Sequence, residues 1–139
     1  MAKVKKSQIG RTQASERATL FVGQEHGALF RAMAAIERRD ITELARLMID
    51  GQAQENGLTP VAPTLPAPAL EEDAIRRFNE ILKGAEGGNE RLNLSLGADY
   101  IGLLAQIKTL ERRSGSALMR LMIDKRAIAM GLQPVQVVL

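Results

Sequence analysis

The chain has no cysteine and no tryptophan, and only one histidine, one tyrosine and three phenylalanines in 139 residues. Without cysteine there are no disulfides, no thiolate nucleophiles and none of the usual structural zinc sites. With His26 as the sole imidazole, a nickel- or zinc-type regulatory centre lacks a ligand set, so no metal and no cofactor is expected. The acidic trio Glu71, Glu72 and Asp73 has no partnered nucleophile or base and reads as a helix start; the chain is not expected to be an enzyme. No apolar run approaches the roughly 18 residues of a membrane span, and residues 1–10 have no apolar core like that of a signal peptide. The expectation is a cytoplasmic protein without a membrane partner.

Proline is scarce as well, and four of the five fall together at Pro60, Pro63, Pro66 and Pro68. Alternating small and apolar residues there suit a semi-rigid extended linker rather than a helix or buried strand. What the chain does have is 45% hydrophobic and 25% charged residues, a globular balance for one ordinary domain. The net charge of +3 is unevenly spread. Residues 1–15 carry Lys3, Lys5, Lys6 and Arg11 with no acid, and the stretch 90–132 is also net basic, which suggests a side that faces a polyanion.

The strongest internal signal is a repeat at an offset of 74 residues. Residues 16–58 and 90–132 match at 17 of 43 ungapped positions, where chance gives about three. Among the matches are Glu16/Glu90, Leu20/Leu94, Gly23/Gly97, the triplets Glu37-Arg38-Arg39 and Glu111-Arg112-Arg113, and the run Leu47-Met48-Ile49-Asp50 against Leu121-Met122-Ile123-Asp124. A unit of this size lies near the lower limit for independent folding, so the two copies are expected to bury each other in one domain. The organisation is then a basic arm at 1–15, a first unit at 16–58, a linker and connector helix at 59–89, a second unit at 90–132 and a tail at 133–139.

Residues 91–96 alternate strictly, with Leu92, Leu94 and Leu96 on one face and Arg91, Asn93 and Ser95 on the other. The first copy keeps the parity, with Ala18, Leu20 and Val22 inward and Arg17, Thr19 and Phe21 outward. This is a strand half-buried on one side. A helix follows in each copy, its stripe running His26, Leu29, Phe30, Met33, Ile36 and Tyr100, Leu103, Leu104, Ile107, Leu110 at helical spacing. His26 aligns with Tyr100 on that stripe and is expected to be a packed, hydrogen-bonded core position.

A second helix is expected to open at Asp40 or Ser114 as N-cap, with Glu43 completing a capping box, and to end at Gly57 or Gly131. The connector reads as a helix over Leu70, Ala74, Phe78, Ile81 and Leu82, ending near Gly84, with Glu72 placed to pair with Arg76. Each unit is therefore strand, helix, helix. A lone short strand cannot stand in water, and its available partner is the equivalent strand of the other copy, paired antiparallel about a pseudo-two-fold axis.

In these features the chain resembles the ribbon-helix-helix family of DNA-binding proteins, which includes the MetJ and Arc repressors. The resemblance covers both units and rests on three features. They are the alternating strand, the first helix of about 14 residues, and a second helix that opens hydroxyl, any residue, Leu, any residue, Arg: Thr42, Leu44, Arg46 and Ser116, Leu118, Arg120. Two units in one chain are similar to the tandem TraY type of conjugative-plasmid accessory protein and to transfer-enhancing proteins of plant-associated bacteria; the connector helix and proline-rich linker depart from the simple pattern. The fold implied is mainly α with one two-stranded antiparallel β-ribbon, a pseudo-two-fold tandem ribbon-helix-helix plus a connector helix.

The resemblance implies sequence-specific binding of double-stranded DNA, either at a transfer origin or border enhancer or as a transcriptional repressor, in a bacterial plasmid- or nucleoid-associated setting. Further copies on adjacent sites and a relaxase or other transfer protein are the partners it implies. Arg17, Thr19, Phe21, Arg91, Asn93 and Ser95 would read bases from a ribbon in the major groove, with Glu16 and Glu90 outside it.

Phosphate candidates are Lys3, Lys5, Lys6 and Arg11 of the arm, Arg39, Arg112 and Arg113, and the starts of the second helices at Thr42 and at Ser114, Gly115 and Ser116. Asp40 and Ser114 make the two starts unequal: the first repels a phosphate unless its charge is taken up by capping, and the second is a small, approachable turn. The competing reading is a protein-interaction module, antitoxin-like or scaffold, that engages a partner through the connector helix and the tail 135–139.

Overall fold

Alternation decides the two strands. β1 (Arg17–Phe21) and β2 (Arg91–Ser95) pair antiparallel, with Arg17 facing Ser95, Thr19 facing Asn93 and Phe21 facing Arg91. In this computed structural model, which describes residues 16–85 and 91–136, Leu20, Leu92 and Leu94 turn inward and are buried. The basic arm with Lys3, Lys5, Lys6 and Arg11, the position of Glu90 and the end of the tail lie outside the described residues. Each strand supplies the other's ladder, which neither could satisfy alone. The inward parity continues past the ladder through Val22 and Leu96, both buried. The strands stop one residue short of the six expected because Gly23 and Gly97, both at φ 91, turn the chain into the next helix.

Five helices complete the described residues: α1 (Gln24–Glu37), α2 (Ile41–Glu55), α3 (Glu72–Lys83), α4 (Ala98–Glu111) and α5 (Gly115–Met130). The protein is thus mainly helical with one two-stranded antiparallel sheet. None of these helices is long and apolar enough to cross a membrane.

Helices α1 and α4 both end on the middle arginine of the Glu-Arg-Arg triplet, Arg38 at φ 58 and Arg112 at φ 54. The following amides close the turn, Arg39 N–H donating to Ala34 O at 2.9 Å and Arg113 N–H to Lys108 O at 3.1 Å. That closure satisfies carbonyls the helix end would otherwise orphan, against a left-handed cost of roughly 1–2 kcal/mol for a residue with a side chain. Asp40 caps α2, its Oδ1 accepting from Glu43 N–H at 2.8 Å, and Ser114 Oγ caps α5 by accepting from Ala117 N–H at 3.1 Å. The other half of the expected capping box is redirected: the Glu43 carboxylate takes Arg39 Nη1 at 3.0 Å.

The connector helix α3 ends at Gly84, as its pattern predicts, and packs on α1. Its buried anchor is Phe78, flanked by the half-buried Ile75, Ile81 and Leu82. Arg76 pairs with Asp73 at 3.1 Å, one residue nearer than the expected Glu72. Because α3 packs along α1 and has no comparable packing on its counterpart α4, equivalent stripe positions end differently. Ile36 of α1 is half-buried alongside Ile81, whereas Leu110 of α4, expected inside, is 55% exposed.

The buried apolar side chains form one cluster, drawn from both strands and all five helices. Phe30, Met33, Leu44 and Ile49 from the first copy are fully buried, as are Ile107, Leu118, Met119 and Ile123 from the second. Each such side chain contributes about 1.5–3 kcal/mol by leaving water.

Candidate nucleic-acid interface

The outer face of the ribbon carries three cross-strand pairs: Arg17 with Ser95, Thr19 with Asn93, and Phe21 with Arg91. All six are exposed, as strand parity requires once the leucines take the inner face. The pairs are chemically engaged with each other. Thr19 Oγ1 donates to Asn93 Oδ1 at 2.9 Å, so the amide is oriented and its Nδ2 donors are left for another partner. The Arg91 guanidinium lies over the Phe21 ring, 5.4 Å from its centroid, while the ring itself stays 57% exposed.

The ends of the ribbon are clasped by the helices behind them. Arg46 of α2 donates from Nε to Leu96 O at 3.1 Å and from Nη2 to Ser95 O at 3.0 Å, and its guanidinium stacks near the Tyr100 ring. Arg120 of α5 donates from Nη1 to Phe21 O at 3.1 Å, and Ser116 Oγ accepts the Phe21 N–H at 2.9 Å. In each case the helix of one copy holds the strand of the other. Arg46 and Arg120 stand in the motif that carries the resemblance. Their work, fixing where the strands point, is not visible from spacing alone.

Two buried carboxylates repeat the theme and have no role in the sequence reading. Asp50 Oδ1 accepts Val61 N–H at 2.8 Å and its Oδ2 accepts the Tyr100 hydroxyl at 2.7 Å. Asp124 Oδ1 accepts Val135 N–H at 2.7 Å and its Oδ2 lies 2.8 Å from His26 Nε2. His26 is therefore the packed, hydrogen-bonded core group the sequence suggests. The signal for the acids was present. An aspartate closes the apolar run Leu47-Met48-Ile49 in one copy and Leu121-Met122-Ile123 in the other, and the 74-residue offset continues through Pro60/Pro134 and Val61/Val135 to the amides that bind it.

Burial, the bond to Asp50 and that group's charge push the Tyr100 phenol up to about 12 from an ordinary 10.0. A folded pKa above the unfolded one means this contribution to stability is complete below pH 10.0 and is lost as pH rises toward about 12. Tyr100 is the only tyrosine and there is no tryptophan, so its phenolate absorbance reports one site. That absorbance is expected to stay flat past pH 10.0 and to rise with alkaline unfolding; a folded protein titrating at 10.0 would contradict the arrangement.

The remaining phosphate candidates sit where the chain reverses between helices, and several already have partners. Arg39 is half-buried against Glu37 at 3.2 Å and Glu43 at 3.0 Å, and Arg113 meets Glu111 at 3.0 Å. Burial alone would push the Glu111 carboxyl up, but donors from Gln52, Asn56 and Arg113 outweigh it and hold it below its usual range. A phosphate reaching Arg39 or Arg113 therefore competes with a carboxylate. Arg112 is exposed, and Thr42 is half-buried in the first turn of α2.

Gly115 departs from the open turn expected of it. It is buried, and an added Cβ would come within 3.0 Å of Leu20 Cδ2, so the glycine lets α5 start against β1. Ser116 is likewise half-buried, its oxygen engaged by Phe21. Among the described residues no group of three or more His, Asp or Glu side chains could hold a metal ion. Compared with protein-family models, with curated proteins and with solved structures, the chain gives no match.

Proposed function

We propose that this chain is a sequence-specific double-stranded DNA-binding protein that lays the β1–β2 ribbon in the major groove. One observation carries the reading. A two-stranded ribbon presents an outer face of six exposed side chains, with two arginines, hydrogen-bonding Thr, Asn and Ser groups, and no acid. The major groove admits a ribbon of this kind, and its base edges are distinguishable to such groups: Arg to guanine, Asn to adenine, an apolar ring to the thymine methyl. The arginine clasps behind the strands favour the same reading, because a strand whose backbone is fixed before contact loses less freedom on binding.

The reading includes the tandem, pseudo-two-fold ribbon-helix-helix arrangement. Its support is that Thr19 faces Asn93, its own equivalent 74 positions on, and that the clasps and buried carboxylates come in pairs at that offset. Phosphates would be met by Arg112, by the starts of α2 and α5, and by the arm residues Lys3, Lys5, Lys6 and Arg11. The biological setting it favours is an accessory factor at a conjugative-transfer origin or border enhancer, or a repressor, with a relaxase or further copies as partners. The interaction-module alternative relied on the connector helix and the tail. The apolar side of α3 is spent on α1, and Val135 is packed on the core with its amide on Asp124.

Selection from a pool of randomised duplex DNA tests the proposal. An enriched site is expected, and Arg91→Ala or Asn93→Ala should each reduce the preference for it over random duplex by about 1–3 kcal/mol while shifting stability by under about 0.5 kcal/mol. Enrichment of no sequence, or two variants that discriminate as well as the parent, would overturn it.

A further inference from the structure

The two strands of the ribbon do not present the same reading surface. Equivalent positions carry Arg17 and Arg91, Thr19 and Asn93, and Phe21 and Ser95. A ribbon with identical strands would look the same after rotation about the axis through its central pair, and its best site would share that symmetry. Here one end offers Arg17 beside Ser95, two hydrogen-bonding groups. The other offers Arg91 held against the exposed Phe21 ring, a cation with an apolar neighbour. At the centre the Thr19 hydroxyl donates to Asn93 Oδ1, so a single amide, oriented from one strand, faces the middle of the site.

We infer that the DNA site is non-palindromic and is bound in one orientation. The inference rests on the ribbon being the DNA-reading face. Phe21 and Ser95 are the residues that set the direction, with Thr19 and Asn93 fixing the central step. The end under Phe21 favours a base pair that offers a methyl group, and the end under Ser95 favours one that offers a donor or acceptor. The helix starts near the two ends also differ, but backbone contacts carry no sequence and do not set this preference.

The asymmetry can be removed with two substitutions on the exposed face. Thr19→Asn with Phe21→Ser gives both strands the outward order Arg, Asn, Ser and leaves every inward side chain in place. Both proteins are put through selection from the same randomised duplex pool. Each is also carried as a Lys108→Cys variant, an exposed position beside the start of α5, where the absence of native cysteine allows one iron–EDTA cleavage reagent to be attached at a single point.

The parent is expected to select a site without dyad symmetry and its probe to cut one flank only. Replacing half of that site by the reverse complement of the other half should weaken binding by about 10- to 100-fold. The double variant is expected to select a dyad-symmetric site and its probe to cut both flanks. A palindromic parental site, or a parental probe that cuts both flanks equally, would overturn the inference and leave DNA reading by the ribbon standing. A pool from which the parent enriches nothing would overturn the DNA-binding reading and the inference with it.

Discussion

Leu94→Ala is expected to destabilise the folded protein by about 2–5 kcal/mol, whereas Asn93→Ala, one residue away, should shift stability by under about 0.5 kcal/mol. Leu94 is fully buried, facing Ala18 across the ribbon, with Leu92 and Leu96 on the same side. Truncation removes three carbon atoms from a packed interior and leaves a cavity that the ladder cannot close without moving the strand. Asn93 points the other way and loses one exposed bond to Thr19. Urea unfolding followed by circular dichroism measures both variants, with an unchanged m-value showing that the comparison is of stability alone. A silent Leu94→Ala beside an unfolded Asn93→Ala would mean that the strand faces the other way. The assignment of the outer face would go with it.

The parity behind that contrast is legible in the sequence because a strand's period of two is local: five alternating residues are enough to say which face is which. Helix ends are legible for the same reason. Asp40, Ser114 and Gly131 act within their own turn, and each does what its residue type suggests. Choices between two partners that are both within reach are not legible, even when all of them lie within one turn. Glu43 could reach the cap or Arg39, and Arg76 could reach Glu72 or Asp73; the geometry of the folded turn decides, and spacing alone does not.

Leu110 fails for a similar reason. Its stripe is as apolar as that of α1, but the helix that would cover it lies over the other copy. Gly115 reads as an open turn from its neighbours, yet the atom that an added Cβ would crowd belongs to Leu20, far away in the chain. The outer ribbon face, whose residues sit in the two alternating segments, is the part of the candidate site the sequence describes best. Its orientation by Arg46, Arg120 and Ser116 comes from chain segments up to 99 residues distant.

Arg126→Ala is expected to cost about 3–5 kcal/mol, comparable to the loss of a core leucine, although the residue is charged. Its guanidinium donates to both oxygens of Glu37, from Nε at 2.8 Å and from Nη2 at 2.6 Å, with the two side chains 7% and 3% exposed. Truncation leaves a buried carboxylate with Arg39 as its remaining donor, at 3.2 Å. Most of the cost is that stranded charge, since an ion pair moved out of water gains little net stability while it is whole.

The other copy shows what a milder change looks like. At the place equivalent to Arg126 stands Gln52, which donates to Glu111 at 2.6 Å with Asn56 beside it at 2.8 Å. Arg126→Gln should therefore keep one hydrogen bond on Glu37 and lose roughly 1–3 kcal/mol, the range for weakening a bond to a charged group. Glu37→Gln with Arg126→Gln should recover part of even that loss, because the buried carboxyl that has lost its main partner is then replaced by a neutral amide. Denaturant unfolding of the three variants measures the order, Ala worst, Gln intermediate, double Gln mildest. If Arg126→Ala proves no worse than Arg126→Gln, the Glu37 carboxylate is reached by water and the pair is not the buried cross-link between α1 and α5 that its geometry describes.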